Sequence, residues 1–407
     1  MELLSPAGNP EKLRAAIRFG ADAVYLAGPG FGMRAASTEF SPNDLQWAVD
    51  YAHARGVKVY VTVNVMPREE EYPALDAYLD LLRRVSPDGL IVADIGVISL
   101  LRERLPDIPL HLSTQANALS SAACRAWYAL GVRRIVLARE LSLAEISAIR
   151  KRIPEDLELE AFVHGSMCVS YSGRCLLSGY FTGRDANRGD CTQPCRWKYA
   201  IVEESRPNEP LPIEEERGET FIMASRDLNM VDHLADLRDA GVDSLKIEGR
   251  MKSVLYTAAV TNAYRMALDA LARGDFTPDP RRNLELESVT HREYSTGYYY
   301  SDPHLDANTV RRPGYIGEKA YLAQVVGYDP ATGLAECEQR NKFRLGDEVE
   351  LLTPGSFGRA FVVTALTDED GVPIDATPHP GMRFRMPVPF PVGEGDILRC
   401  PRGDSRD

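Results

Sequence analysis

Four of the seven cysteines in the sequence lie close together and could bind a metal centre jointly. They are Cys168, Cys175, Cys191 and Cys195, separated by six, fifteen and three residues. Four thiolates can hold a 4Fe–4S cluster or a structural zinc ion. The wide first gap is unusual for zinc, whose cysteine pairs are commonly two to four residues apart. The C-x3-C-x2-C motif of radical S-adenosylmethionine enzymes is absent.

Disulfide bonding and simple burial are the alternatives to a metal centre. Disulfides are disfavoured, because the amino terminus shows no secretory signal and the expected cytoplasmic location is reducing. Alternatively, the four cysteines could be unrelated buried residues. The remaining cysteines, Cys124, Cys337 and Cys400, are expected to be small apolar core residues.

Polar side chains recur near the ends of predicted strands and could bind and transform a small molecule. The expected catalytic residues are Glu160, His164, Asp94 and His111, because carboxylates and imidazoles transfer protons. Arg139 and Arg250 are expected to clamp a small carboxylate, since guanidinium groups pair with carboxylates bidentately. Further substrate-binding candidates are Gln115, Asn64 and Glu248. The alternative is structural pairing in the core, for example between Glu160 and Arg250.

These side chains require a scaffold that gathers strand ends, and the sequence predicts one. Eight short apolar strands alternate with helical segments; they begin near Leu3, Ala23, Lys58, Gly89, Pro109, Arg134, Glu158 and Asp243. This alternation indicates a parallel sheet, and the number of strands favours a closed (β/α)8 TIM-like barrel. An open doubly wound sheet is the alternative, but no G-x-G-x-x-G motif follows the first strand.

The domain organisation follows from a change in pattern along the chain. We expect a barrel over residues 1–275, with a cysteine-rich insertion at 165–222 after the seventh strand. A linker is expected at 276–315, where Pro, Arg, Asp and Tyr are frequent. Residues 316–407 show short strands separated by turns, which predicts a small β-barrel domain.

Composition limits the class of protein. The chain has 407 residues, of which 44% are hydrophobic, and carries a formal net charge of −12. No apolar run is long enough to span a membrane. The negative charge argues against DNA binding, although a local basic patch remains compatible with RNA. The cysteine region supplies such a patch together with aromatic residues that could stack on a base: Arg174, Arg184, Arg188, Arg196, Lys198, Tyr171, Tyr180, Phe181 and Trp197.

The residues around the first two cysteines resemble a known family. Residues 160–168, EAFVHGSMC, and 173–178, GRCLLS, resemble the signature of peptidase family U32, the collagenase-like proteases. Similar matches occur at residues 4–9, 20–25, 111–115, 225–228 and 246–251. The C-terminal β-domain also resembles one that is appended to many members.

The resemblance implies an activity other than proteolysis. Better-understood members resemble oxygen-independent hydroxylation proteins, in which four cysteines hold a 4Fe–4S cluster. The implied ligands here are Cys168, Cys175, Cys191 and Cys195. One barrel with a β-domain resembles the members that form 5-hydroxyuridine at the wobble position of tRNA, with prephenate as the implied hydroxyl source. Other members hydroxylate rRNA or the ubiquinone ring.

Two further functions are alternatives. A peptidase would need a nucleophile beside a base, but Ser166 and His164 are two residues apart at a turn, a poor arrangement for such a pair. The H-E-x-x-H zinc-protease motif is absent. A non-enzymatic RNA-binding scaffold with a structural cluster is the other alternative, although acidic and histidine side chains at the barrel mouth favour a small-molecule site.

Overall fold

The computed structural model divides into two compact units. It describes residues 1–32, 40–168, 170–197, 225–301, 316–317 and 319–401. The first unit consists of Met1–Leu13, Ala21–Met251 and His291–Tyr315. The second consists of Arg14–Gly20, Lys252–Thr290 and Ile316–Asp407. Part of the expected insertion, residues 198–222 including Lys198, and residues 302–315 of the expected linker lie outside the described residues.

A closed parallel barrel forms the first unit. Its strands are β1 Glu2–Pro6, β2 Ala23–Ala27, β3 Lys58–Val63, β4 Gly89–Val92, β5 Leu110–Leu112, β6 Val132–Val136, β7 Glu158–Ser166, β8 Asp227–Asn229, β9 Ser244–Ile247 and β10 Tyr294–Ser295. Strands β1 to β7 pair in parallel in chain order, and β9 pairs in parallel with both β7 and β1. The eight-stranded TIM-like barrel expected from the sequence is therefore confirmed. The short β8 pairs antiparallel with the end of β7, and β10 pairs with β8.

Helices follow the barrel strands. They are α1 Pro10–Arg18, α2 Pro42–His53, α3 Tyr72–Val85, α4 Ile95–Arg104, α5 Ser121–Ala129, α6 Leu143–Arg150, α7 Leu177–Thr182 and α8 Leu234–Asp239. Several begin where a side chain accepts a hydrogen bond from a backbone N–H of the first turn, as Ser41 does for α2 and Ser142 for α6. Glu145 completes a capping box with Ser142.

An antiparallel sheet forms most of the second unit. Its elements are α9 Val254–Arg273, α10 Pro280–Glu287, β11 Lys319–Asp329, β12 Leu334–Gln339, β13 Glu348–Leu352, β14 Arg359–Val362, β15 Thr367–Asp368, β16 Arg383–Pro387 and β17 Ile397–Pro401. The strand order is β14-β13-β17-β11-β12-β16-β15, an antiparallel half-barrel, which confirms the small C-terminal β-domain expected from the sequence. Phe343 and Phe384 pack edge to face in its apolar core.

The expected linker at 276–315 contains a helix, which corrects the sequence-based interpretation. Pro280 begins α10, and the Asp279 side chain accepts a hydrogen bond from the Arg281 backbone N–H. Asp279 and Pro280, which contribute to the Asp- and Pro-rich composition of this segment, thus form a helix start. Both α9 and α10 belong to the second unit, so the compact units do not divide at residue 275. In the described part of the chain, no helix is long and apolar enough to cross a membrane.

Candidate functional site

A cleft with a cavity volume of about 80 Å³, open to solvent, lies at the carboxyl ends of the barrel strands. Active sites of (β/α)8 barrels occupy this end of the fold. Its main polar side chains are Asn64, Gln115, Arg139, Lys246, Glu248 and Arg250. All five residues that the sequence suggested for substrate binding therefore lie together, and Lys246 joins them.

Arg139 crosses one wall of the cleft. Its Nη1 donates a hydrogen bond to the Ser166 carbonyl at 2.7 Å, and its guanidinium carbon lies 3.8 Å from the centre of the Phe162 ring. Nη2 is 3.8 Å from Glu248 Oε2. The Nε–H is buried and has no hydrogen-bond acceptor among the described residues. Arg139 therefore retains a donor that an anionic ligand could use.

Arg250 is held by both its backbone and its side chain. Its carbonyl accepts a hydrogen bond from Lys12 Nζ at 3.2 Å, and its Nη1 donates to Thr62 Oγ1 at 3.2 Å. A Cβ atom at Gly8 would lie 2.1 Å from the Arg250 carbonyl oxygen, so only glycine permits this close approach. The second cationic group of the cleft is thus fixed in position.

A buried amide network orients Gln115. Asn64 Nδ2 donates to Gln115 Oε1 at 2.6 Å, and Ser113 Oγ donates to the same oxygen at 3.1 Å. With its oxygen occupied, Gln115 presents Nε2 as a donor, and this atom has no partner among the described residues. The side chain is only 2% exposed. An oriented donor with no acceptor suits a carbonyl or carboxylate oxygen of a ligand.

Glu160, expected to be catalytic, lies beneath the cleft in a buried ion-pair network. Its carboxylate contacts Lys246 Nζ at 2.7 Å and Arg134 Nη1 at 3.3 Å, and Arg134 also contacts Glu2 at 2.6 Å. A structural pair with Arg250 is the alternative that the sequence suggested, but the partners are Arg134 and Lys246. Each carboxylate oxygen of Glu160 is engaged by one of these cations, so the residue ties the barrel interior together.

His111, a second expected catalytic residue, is packed within the barrel and does not line the cleft. Its ring lies edge-on to Tyr60, with 4.6 Å between ring centres. Burial, followed by the charges of Arg134 and Lys246, lowers the pKa of His111 well below its usual value. The imidazole is therefore neutral near pH 7 and cannot act there as a proton donor in the charged form.

His164 and Asp94, the remaining expected catalytic residues, also have local partners. The pairing of β7 with β9 shifts register between Phe162 and His164, so that His164 pairs with Ile247. His164 Nε2 lies 3.4 Å from Tyr294 Oη. Asp94 caps α4, where its carboxylate accepts the Val97 N–H at 3.0 Å. Neither side chain lines the cleft.

The segment that carries the four cysteines, residues 167–197, begins where β7 ends and reaches the cleft. Ser172 contributes to the cleft wall, and its carbonyl accepts a hydrogen bond from Asn117 Nδ2 at 3.1 Å. Gly173 has a φ of +71°, and a Cβ atom there would lie 3.2 Å from the Gln115 side chain. No sequence pattern indicates that Ser172 lines the cleft, because its position depends on the conformation of the loop that contains Ser172 and Gly173.

The four cysteines are at or near the surface of this segment. Cys168 and Cys191 are exposed, whereas Cys175 and Cys195 are half-buried. Asn187 holds Cys175 by accepting its backbone N–H at 3.1 Å and donating to its carbonyl at 2.8 Å. Burial raises the pKa of the Cys195 thiol, and the nearby Cys168 and Cys191 thiols add to this rise. Within the described residues, no three His, Cys, Asp or Glu side chains form a group that could hold a single metal ion.

The three cysteines outside this segment behave as expected for apolar core residues. Cys124 and Cys337 are buried, and Cys400 is half-buried. Burial raises the pKa of the Cys124 thiol to about 11 and also raises that of Cys337.

A buried ion pair at the base of the cysteine segment has no counterpart among the sequence-based predictions. Arg292 Nη2 donates to Asp227 Oδ1 at 2.7 Å, and the Arg292 backbone N–H donates to Oδ2 at 3.1 Å. Asp227 lies opposite Ser166 in the β7–β8 pairing. The two residues of the ion pair are 65 positions apart, so no local pattern could have joined them.

Comparisons with known proteins cover nearly the whole chain. A sequence profile of peptidase family U32 matches residues 8–309, and a profile of the peptidase family U32 C-terminal domain matches residues 318–399. The chain is 37% identical to "tRNA hydroxylation protein P" of Escherichia coli (strain K12), across 95% of this chain and 94% of that protein.

Two further relatives of the chain carry different descriptions. The chain is 37% identical to "23S rRNA 5-hydroxycytidine C2501 synthase" of Escherichia coli (strain K12), with 78% of this chain and 48% of that protein covered. It is 31% identical to "Collagenase" of Porphyromonas gingivalis (strain ATCC BAA-308 / W83), with 87% and 86% covered.

Proposed function

The chain belongs to peptidase family U32, and from this premise we propose that it is an RNA-modifying hydroxylase that converts a tRNA uridine to 5-hydroxyuridine. The observation that carries the proposal is the similarity to tRNA hydroxylation protein P along almost the full length of both chains. The proposed position is the wobble nucleotide of the anticodon. This substrate agrees with the cytoplasmic location expected from the sequence.

A 4Fe–4S cluster bound by Cys168, Cys175, Cys191 and Cys195 is part of the proposal. The donor set fits in kind, because such clusters are held by four thiolates. Each thiolate of a cubane cluster binds a different iron atom, so the four need not surround one point as they would around zinc. When bound, the cluster would supply redox or Lewis-acid chemistry.

The cleft is proposed to hold a small carboxylate, with prephenate as the candidate hydroxyl source. Arg139 and Arg250 are two fixed cations in one cleft, and Arg139 has an Nε–H available. Gln115 adds an oriented N–H for a carbonyl or carboxylate oxygen. Glu248 is the carboxylate that lines the cleft, so it replaces Glu160 and His164 as the candidate for proton transfer.

Nucleoside mass spectrometry tests the proposed reaction. Bulk tRNA from a strain that lacks this gene should have lost 5-hydroxyuridine and its derivatives. The intact gene and a Cys124→Ala copy should restore them, whereas a Cys175→Ala copy should not. Unchanged tRNA nucleosides in a strain that has no second gene for the same activity would overturn the proposal. Loss of a hydroxylated rRNA nucleoside or of a hydroxylated quinone instead would identify that molecule as the substrate.

Metal analysis tests the proposed cofactor separately. Protein prepared without oxygen should contain iron and sulfide and should give an electron paramagnetic resonance signal after reduction. Alanine at any one of the four proposed ligands should abolish the signal, and Cys337→Ala should retain it. Stoichiometric zinc without iron in the anaerobic preparation would refute the cluster.

A peptidase is the second candidate, because one similar protein is described as a collagenase. Ser166 and His164 are the nucleophile and base considered from the sequence, but the His164 ring lies against Tyr294. Cleavage of denatured collagen by purified protein, lost in a Ser166→Ala variant, would support proteolysis. No cleavage above a no-enzyme blank would dismiss it.

A further inference from the structure

The cysteine segment carries an unusual group of exposed apolar side chains. Tyr180 is 83% exposed, Leu176 77%, Phe181 44% and Trp197 40%. We call these four residues the aromatic surface. Single exposed apolar residues are common on soluble proteins, whereas a contiguous group indicates a binding site.

Phe181 contacts the other two rings of the aromatic surface. The Tyr180 and Phe181 ring centres are 5.1 Å apart with the rings at 81°, and those of Phe181 and Trp197 are 5.9 Å apart at 53°. Tyr180 meets Phe181 edge to face and is 83% exposed, so the Tyr180 ring can stack on a further planar group. The surface therefore has the geometry of a stacking platform.

Hydrogen bonds fix the helix that carries this surface. Ser178 is fully buried, and its Oγ accepts the Thr192 backbone N–H at 3.1 Å. Thr182 Oγ1 donates to the Ser178 carbonyl at 2.7 Å, and Gly183 ends α7 in the left-handed conformation. The exposure of Tyr180 and Phe181 is thus a property of an anchored element, because the opposite side of α7 is the side that is held.

The charge of the segment differs in sign from that of the whole chain. Residues 168–197 contain four basic and two acidic residues, a formal charge of +2 of which one charge is offset by the Arg188–Glu71 ion pair, whereas the whole chain carries −12. Arg174, between the cleft and the aromatic surface in the sequence, is exposed. A purely apolar protein partner would not need this local reversal of charge, but a polyanion with planar bases would use both features.

The aromatic surface is close to the cleft along the chain. Ser172 lines the cleft and Leu176 begins the surface, and four residues span at most about 14 Å. A nucleotide placed in the cleft would thus have its neighbours in the strand within reach of the rings.

We infer that the aromatic surface stacks the unpaired bases next to the target nucleotide of an RNA loop, with Arg174 facing the RNA backbone. The inference rests on the proposed function and names the part of the protein that recognises its RNA. Stacking on aromatic side chains tolerates any base, so the surface adds affinity and orientation more than sequence preference.

RNA binding by a double variant tests this inference. Tyr180→Ala combined with Phe181→Ala should weaken binding of a fluorescent anticodon stem-loop to the anaerobically prepared full chain by about tenfold or more in fluorescence anisotropy. Tyr180→Trp should bind as well as the wild type. Tyr300→Ala is the matched control, because Tyr300 is a 51% exposed tyrosine outside the cysteine segment, and it should not change binding.

The outcomes separate this inference from the proposed function. Equal RNA binding by the wild type and the double variant, with equal iron content and melting temperature, would overturn the aromatic surface alone. No RNA binding by the wild type would overturn both. If the double variant binds RNA as the wild type does but loses hydroxylation activity only in reactions that contain cell extract, the surface would be assigned to a protein partner. This result would also overturn the inference.

Discussion

Arg139 and Gln115 each bury one N–H group that has no acceptor among the described residues. A buried donor without a partner costs about 1–3 kcal/mol, so a ligand oxygen that accepts these hydrogen bonds recovers that free energy on binding. At the scale of single residues, the cleft is therefore built for an anion with at least two oxygen acceptors.

Arg139→Lys tests the use of the guanidinium group. Lysine keeps the positive charge but loses the planar fork and the Nε–H, so affinity for prephenate should fall about tenfold, or about 1.4 kcal/mol. Calorimetric titration measures this. Arg133→Lys, on the surface of the same barrel, is the control and should bind as the wild type does. If prephenate and related dicarboxylates do not bind the wild type at all, the carboxylate site is wrong.

At the scale of elements, strand β7 shows which side-chain positions could be predicted from the sequence and which could not. Strict alternation places Glu160, Phe162 and His164 on one face, and it is correct up to Phe162. The β7–β9 pairing then shifts register and places His164 opposite Ile247, and nothing in the Phe-Val-His sequence signals this shift. The strands and the cleft residues that directly follow them were predictable, because parallel strands end at one edge. Asp94 caps α4 and does not line the cleft, and the sequence cannot separate these two outcomes because a helix cap and a catalytic carboxylate occupy the same position after a strand.

The contact between the cysteine segment and the cleft can be tested at two glycines with the same backbone angle. Gly173 and Gly183 both have φ +71°, but an added Cβ meets the Gln115 side chain only at Gly173. Alanine at either position should cost about 1 kcal/mol of stability. Only Gly173→Ala should also reduce the thermal shift produced by prephenate, since it displaces Gln115. Equal thermal shifts in both variants would contradict a role for this contact in ligand binding.

The ion-pair network connects β1, β6, β7 and β9, and its contribution should depend on pH. Burial alone would raise the pKa of Glu2, but the Arg134 charge and the hydrogen bonds from Arg134, Tyr60 and Ser244 lower it below the ordinary value. A lowered carboxyl pKa stabilises the fold above the unfolded-state pKa, and this stability is lost as the pH falls through the folded-state pKa.

Glu2→Gln should therefore reduce the free energy of unfolding by about 2 kcal/mol at pH 7. The difference from the wild type should begin to shrink as the pH falls below the ordinary glutamate pKa of about 4.3, where the unfolded chain starts to bind a proton at Glu2, and should shrink further as the pH falls through the lowered pKa of the folded state. Urea unfolding at a series of pH values measures it. Glu155→Gln, at an exposed site, should show no such trend, and a Glu2 difference independent of pH would refute the ionic explanation.

At the scale of the whole molecule, the second unit draws its residues from three parts of the chain. Within it, Asn262 of α9 donates to the Ser356 carbonyl at 2.8 Å. Glu285 of α10 pairs with the fully buried Arg399 at 2.7 Å, and Arg399 also contacts Glu350 at 3.2 Å. The C-terminal strands and these helices thus form one folding unit, although a sequence-based boundary separates them.

If the C-terminal strands were an independent domain, a chain that ends at Tyr315 would melt at the same temperature as the full chain. We expect this fragment to be less stable instead. It leaves Asn262 and the buried Glu285 without partners, and an unpaired buried charge costs about 3–5 kcal/mol. The melting temperature of the fragment should fall by about 5 °C or more. Glu285→Ala in the full chain should reproduce part of the loss, whereas Glu287→Ala should not. A fragment that melts with the full chain would contradict the division into units.

The ion pairs beneath the cleft limit the routes by which ligands can enter and leave it. Glu160, Arg134 and Lys246 fill the interior, so a small molecule in the cleft leaves by the mouth through which it entered. The proposed RNA nucleotide would enter the cleft through the same opening. A shared opening imposes an order of binding, because a nucleotide that binds first blocks the entry of the small molecule. Steady-state kinetics should show a compulsory order, with excess RNA slowing turnover when the carboxylate is scarce.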